Sequence, residues 1–271
     1  MICPSCGKLI GIGEEKCPFC GAWRPGLYGY TPWIQKLFGS RLDLIRLIVG
    51  ACVTLYVAAL ILEPDAILHP SGLFSLLSPG NRALYQLGMT GGATWRMGMW
   101  WTLLTAIYLH GGLLHIFFNM MWVRNLGPGV TDIYGPARAF VIFSVAGAVG
   151  FLVSDLVTGA PSIGASGSIF GLLAAMIVYG RRVHHSMLTQ QLWQWAIVMF
   201  AMGFFMQGVN NWAHAGGFAG GWVAAEAMRF SDEKRESVAV QVLALALLAL
   251  TAAGFVLSFV KVTGALLSGG G

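Results

Sequence analysis

Apolar residues gather into seven runs along the chain, at positions 47–62, 103–123, 139–157, 167–179, 192–208, 212–228 and 238–260. Each approaches or reaches the roughly 20 residues an α-helix needs to cross a bilayer, so the pattern predicts seven membrane spans, the fourth being the shortest. The connection between the first two runs is long and carries Leu73, Phe74, Leu76, Leu77, Leu84, Tyr85, Leu87, Trp95, Trp100 and Trp101. That is too apolar for a solvated loop and fits a segment lying in the headgroup region. The organisation that follows is a small unit at 1–23, an amphipathic linker at 24–46, a six-helix bundle at 47–228, and a segment at 229–271 holding a mixed-charge turn, the seventh span and a tail.

Composition sharpens the class. Of 271 residues, 56% are hydrophobic and only 10% charged, against roughly a quarter charged in soluble proteins. The fold class is therefore an all-α polytopic membrane protein. The net charge of +5 is read as the positive-inside signal and not as a nucleic-acid face, so no nucleic acid is expected among the partners. Lys36, Arg41, Arg46, Arg124, Arg138, Arg181, Arg182, Arg229, Lys234 and Arg235 fall on one side, against Arg82, Arg96 and Lys261 on the other. This bias places the N-terminus in the cytosol. Residues 1–40 contain no apolar core, so no cleavable signal peptide is expected and the first span acts as its own anchor.

The cysteines add chemistry at one end. Cys3 and Cys6, then Cys17 and Cys20, form two C-x-x-C knuckles about ten residues apart, each followed by a glycine, Gly7 or Gly21. Four thiolates at this spacing converge on one zinc ion, and a unit so small has no core to fold around without metal. Two disulfides or a redox dithiol are the alternatives, disfavoured by a reducing cytosol. With four Cys ligands and no open position, the zinc would be structural or support a docking surface for a cytosolic partner. Cys52, alone in the first span, reads as packing.

Hydrogen-bonding groups inside spans are costly and mark function. His115 and Asn119 are spaced i, i+4 on the second span, with His110 a little more than a turn earlier. Gly164-Ala165-Ser166-Gly167-Ser168 opens the fourth run, and His214 begins the sixth, followed by Gly216 and Gly217. Gly167 and Gly171, with Gly217 and Gly221, form G-x-x-x-G pairs that let two backbones approach. A Ser and a His brought within reach in this way make a nucleophile and its base. Asp155 and Glu226 lie elsewhere, so a Ser166/His214 dyad is the economical expectation.

In their order, HxxxN (His115, Asn119), GASG (Ser166) and HxGGxxxG (His214, Gly216, Gly217, Gly221) resemble the motifs of the rhomboid intramembrane serine proteases. The likeness covers roughly residues 47–228 and implies a six-helix core with one extra C-terminal helix, in which the fourth helix starts at the floor of a water-filled cavity. It implies Ser166 as nucleophile and His214 as base, an oxyanion site made by the Ser166 backbone N–H with His115 and Asn119, and Phe170 stacked on the His214 ring. Gly164, Gly217, Gly221 and His110 would be supporting residues. Substrates would be single-span or polytopic proteins of the same bilayer, cut near their extracytoplasmic end, with no cofactor for catalysis and the cell (inner) membrane as location. One departure stands out: the family's Trp-Arg pair before the second span reads Trp101-Thr102 here. A catalytically inactive, client-binding relative of these proteases is the main alternative. A transporter would need symmetric halves, which the sequence lacks.

Overall fold

A computed structural model describes residues 3, 6–11, 14–21, 44–64, 76–206, 208–228 and 237–268. Most of the linker, Leu73, Phe74, the charged run 229–236 and five of the counted cations, Lys36, Arg41, Arg229, Lys234 and Arg235, lie outside these residues. The chain divides into two compact units, Met1–Leu47 and Ile48–Gly271.

In the first unit Cys3, Cys17 and Ile10 are buried together, with Cys6 against them. The amides of Gly7 and Gly21 donate to the carbonyls of Cys3 and Cys17, each at 2.9 Å. Both glycines sit at φ near +70°, which L side chains rarely adopt.

The described residues hold seven long helices, all but the first four residues of α1 in the second unit: α1 (Leu44–Leu62), α2 (Leu113–Tyr134), α3 (Pro136–Val157), α4 (Ser166–Arg182), α5 (Ser186–Met202), α6 (Asn211–Met228) and α7 (Val238–Ser268). By length and composition α1, α3 and residues 239–268 of α7 would each cross a membrane alone. The protein is an all-helical polytopic membrane protein. On α1 the buried positions Ile48, Cys52, Tyr56 and Ala59 form a single stripe.

The second run does not form one straight span as its apolar continuity predicts. It breaks at His110-Gly111-Gly112 into Thr102–Tyr108 and Leu113–Tyr134, bent by 95°, and would be a fourth span if the bent pair is counted as one. Gly112 precedes α2 in an extended conformation any residue adopts, and hydropathy alone hides the corner. Two expectations change with it. His110 is not on the helix of His115, and Arg124 lies inside α2 and not in a connection.

The long connection folds into short helices, Asn81–Gln86, Gly92–Arg96 and Thr102–Thr105, followed by a 3-10 turn at Ala106–Tyr108. Its apolar residues have two fates. Leu84, Leu87 and Met89 pack with Ala59 and Leu109 in a core cluster, whereas Trp95 and Trp100 stay exposed, as suits amphipathic rings at an interface. Helix α7 fastens this segment: Trp101 Nε1 donates to Ser258 Oγ at 3.0 Å, Gln86 Nε2 to Thr263 Oγ1 at 3.0 Å, and Lys261 Nζ to the Met97 carbonyl at 2.6 Å.

Helix α4 is the centre of the bundle and is buried along most of its length. It packs against α3 and α6, and those two pack most extensively against each other. The buried face of α6 is Ala213, His214, Gly216, Gly217, Gly220, Gly221, Ala224 and Ala225, almost wholly small residues, which lets its backbone approach its neighbours. A Cβ on Gly217 would fall on the carbonyl of Gly167, one on Gly221 on the Cα of Gly171, and one on Gly150 of α3 on the carbonyl of Ala213. An Arg182–Glu226 ion pair joins the far ends of α4 and α6.

Candidate active site

Ser166 is the first residue of α4, where backbone N–H groups have no acceptor within the helix and the dipole is positive. The chain reaches it through Gly164, whose φ of +120° suits glycine and whose amide donates to the Ala106 carbonyl at 2.9 Å. His214 lies in the first turn of α6. The glycine seam between α4 and α6 brings the two side chains together: Ser166 Oγ and His214 Nε2 are 2.9 Å apart.

The His214 ring is buried and stacks on Phe170, with centroids 4.5 Å apart and planes 22° from parallel. Its Nδ1 has no hydrogen-bond partner among the described residues. Asp155 accepts from Thr90 Oγ1 at 2.8 Å and Glu226 is held by Arg182. Neither carboxylate orients the imidazole.

His115 opens toward the same loop. A Cβ on Gly164 would lie 2.6 Å from His115 Nε2, so only glycine admits the ring there. The His115 Nδ1 accepts the Gly111 N–H at 3.3 Å, and His110 meets its ring edge-on at 5.1 Å. Asn119, one turn on, is buried; its Nδ2 donates to the His115 carbonyl at 2.8 Å and its Oδ1 has no partner among the described residues.

A further set of residues around the site has no sequence motif. Asn210 precedes α6 and caps it, its Oδ1 accepting from the Ala213 N–H at 3.1 Å. Its Nδ2 reaches Ser162 Oγ at 2.8 Å and Ser154 Oγ at 2.5 Å. Asn210 thus ties the helix of His214 to α3 and to the segment four residues before Ser166. Ser162 in turn pairs by backbone with Thr90, as an isolated antiparallel bridge. Thr102, where the family pattern has Arg, is fully buried, its hydroxyl 2.7 Å from the Met99 carbonyl and 3.2 Å from Thr90 Oγ1. The hydroxyl chain ending on Asp155 holds the first connection to α3 where a larger cation was expected.

The family model for the rhomboid domain matches residues 97–231, a stretch holding both G-x-x-x-G pairs, HxxxN, GASG and His214. The chain belongs to the rhomboid family. It is similar to Rhomboid protease GluP of Bacillus subtilis (strain 168), at 32% identity over 154 residues, 56% of this chain and 30% of that protein. It resembles RHOMBOID-like protein 5 of Arabidopsis thaliana at 32% identity over 154 residues, 54% of this chain and 50% of the relative. It also matches Inactive RHOMBOID-like protein 8 of Arabidopsis thaliana, 29% identical over 142 residues, 50% of this chain and 40% of the relative. The chain thus spans no more than half the length of these rhomboid relatives.

Away from the rhomboid domain, the Sγ atoms of Cys3, Cys6, Cys17 and Cys20 all lie within 4.8 Å of one another and could bind a metal ion. Cys3 and Cys20 are 3.8 Å apart, Cys6 and Cys17 3.5 Å, and none of the four is in a disulfide. A tetrahedral zinc with bonds of about 2.3 Å separates its sulfurs by about 3.8 Å, so the donor set fits. The Lys8 backbone lowers the pKa of the Cys6 thiol, but desolvation and the three neighbouring thiols raise it, to about 12 on balance.

Proposed function

We propose that this rhomboid is an active intramembrane serine endopeptidase. The observation that carries the reading is the 2.9 Å approach of Ser166 Oγ to His214 Nε2, with the imidazole held by the Phe170 stack. In the tautomer that does this work Nδ1 carries the proton and the Nε2 lone pair faces the serine. Ser166 Oγ attacks the scissile carbonyl while Nε2 takes its proton, and the same proton passes to the leaving amine as the acyl-enzyme ester forms. Water then attacks the ester, again deprotonated by Nε2, and the acid product leaves with Ser166 restored. The transient imidazolium has the Phe170 face against it, a favourable site for a cation, in place of the carboxylate of a triad.

The tetrahedral oxyanion would be met by the Ser166 backbone N–H at the start of α4, with His115 and Asn119 beside it; one such donor is worth about 100-fold to 1000-fold in turnover. Asn119 offers the second hydrogen of its Nδ2 for this purpose. His110 and Gly164 support His115, and Gly217 and Gly221 set the α4/α6 spacing.

The helices fit a six-helix core, α1 to α6, with α7 as an additional span. On the positive-inside bias the N-terminus faces the cytosol, and Ser166 opens to the other side of the cell membrane. Substrates are membrane proteins whose helices unwind near that side. The four cysteines hold a structural zinc in a ribbon at 1–23, joined by a linker at 24–46 to a catalytic core at 47–228, and the ribbon serves as a docking surface for a cytosolic protein. Kinship with a relative named inactive keeps one competitor, a client-binding rhomboid without hydrolysis.

The deciding experiment is cleavage of single-span substrates in liposomes by wild type and Ser166→Ala, with a serine-reactive fluorophosphonate probe applied to both. Cleavage and labelling that disappear together in the variant support the protease. Folded wild type that neither cleaves nor labels, across several substrates, favours the client-binding reading.

A further inference from the structure

Between α1 and α2 runs a cavity of about 660 Å³. Helix α1 contributes Val49, Val53 and Tyr56; α2 contributes a stripe that starts at Leu113 and ends at Arg124 and Asn125. The stripe follows i, i+3, i+4 spacing and lies roughly 150° around the helix from His115 and Asn119, so it is separate from the active site. Its walls are apolar except for Tyr56, whose hydroxyl donates to the Leu77 carbonyl, and for Arg124 and Asn125.

Three properties of the groove identify what fits it. From Leu113 to Arg124 the helix rises about 16 Å, close to one leaflet of a hydrocarbon core of about 30 Å. Arg124 and Asn125 end the apolar stretch of α2 and are exposed, and the described residues offer Arg124 no carboxylate, Glu226 being taken by Arg182. A guanidinium beside lipid needs an anion, and phosphate matches its fork of donors. An extended alkyl chain is thin enough to lie along a groove of this volume.

We propose that this groove is a binding site for an anionic glycerophospholipid, with one acyl chain along the α2 stripe from Met120 toward Leu113 and the phosphate on Arg124 and Asn125. The site stands apart from the Ser166/His214 reading and does not depend on it. A bound lipid bridges α1 to the back of the helix that carries His115 and Asn119.

The test uses the full chain, purified in detergent and stripped of lipid, then titrated with dioleoylphosphatidylglycerol or dioleoylphosphatidylcholine and read by native mass spectrometry. Wild type should retain one phosphatidylglycerol in preference to phosphatidylcholine. Arg124→Gln should weaken phosphatidylglycerol about fivefold, the contribution of one cation at a membrane surface, and Arg124→Lys should restore part of the preference. Val53→Trp, at an exposed apolar position that folding tolerates, should fill the groove and expel both lipids. Glycerol 3-phosphate alone should not bind. Equal retention of the two lipids by wild type, an unchanged preference in Arg124→Gln, or binding of glycerol 3-phosphate as strong as that of the lipid would each overturn the proposal. So would a Val53→Cys chain that cross-links to a second copy across this face, which would make the occupant protein.

Discussion

Gly217→Ala is the substitution whose effect follows most directly from the packing. An ideal Cβ on Gly217 would lie 2.7 Å from both the Cα and the carbonyl carbon of Gly167, and closer to its oxygen. Non-bonded carbons rest at about 3.5–4.0 Å, so α4 and α6 would have to part by about 1 Å at this level. Gly167 follows Ser166 and Gly217 is one turn beyond His214, so the separation is passed to the dyad. Its 2.9 Å contact would open to about 4 Å, outside hydrogen-bond range. A displacement of this size costs about 100-fold in rate, and the forced overpacking costs about 1–3 kcal/mol of stability. The assay is turnover of a fluorogenic single-span substrate in liposomes, with thermal unfolding in detergent measured on the same preparations. Gly50→Ala is the control, because nothing lies within 4 Å of a Cβ at that position. Wild-type turnover in Gly217→Ala, or an equal loss in Gly50→Ala, would refute the idea that backbone contact sets the geometry of the dyad.

Other substitutions separate the remaining contributions. Phe170→Leu should lower kcat about two- to tenfold through loss of an aromatic stack worth about 0.5–1.5 kcal/mol, and Phe170→Tyr should keep it. Asn119→Ala should reduce kcat about 100-fold or more with little change in KM, since an oxyanion donor acts in the transition state; an effect confined to KM would remove Asn119 from that role. Asn210→Ala should lower the thermal midpoint by the equivalent of a lost helix cap, about 1 kcal/mol, whereas Asn210→Asp keeps the acceptor for the Ala213 amide and should unfold later than the alanine variant. Cys3→Ser should release bound zinc, measured by elemental analysis, while the detergent-solubilised bundle continues to cleave.

What could be read from the sequence was whatever is carried by local period or fixed spacing. Apart from the second run, which breaks at a corner, the apolar runs correspond to the long helices with ends shifted by up to eight residues: the fifth run, read at 192–208, is the helix Ser186–Met202, because hydropathy does not register the polar first turn before Leu192. The G-x-x-x-G pairs anticipated the α4/α6 contact, and the Ser and His that the motifs single out are in fact adjacent. The part played by α3 was not legible. Gly147 and Gly150 do not form such a pair, yet they admit Ser168 and Ala213. Asn210 was missed for a different reason: its partners Ser154 and Ser162 are 56 and 48 residues away, and an Asn pair in a short loop has many bland explanations. The corner at Gly111-Gly112 was present as a glycine pair, but it was outweighed by the apolar residues on both sides.

The attachment of the first connection to α7 sets an order in time. Trp101 waits for Ser258, 157 residues later, and Gln86 for Thr263, 177 residues later. At roughly 5–20 residues per second of synthesis, those partners arrive about 8–35 s after the groups they hold. During that interval the short helices at the membrane surface rely on the apolar cluster around Leu84 and Leu109 and on the links of Thr90 to Ser162 and Asp155, without the α7 bonds. His214 emerges before Ser258 does, so a growing chain contains both Ser166 and His214 before the first connection is secured to α7.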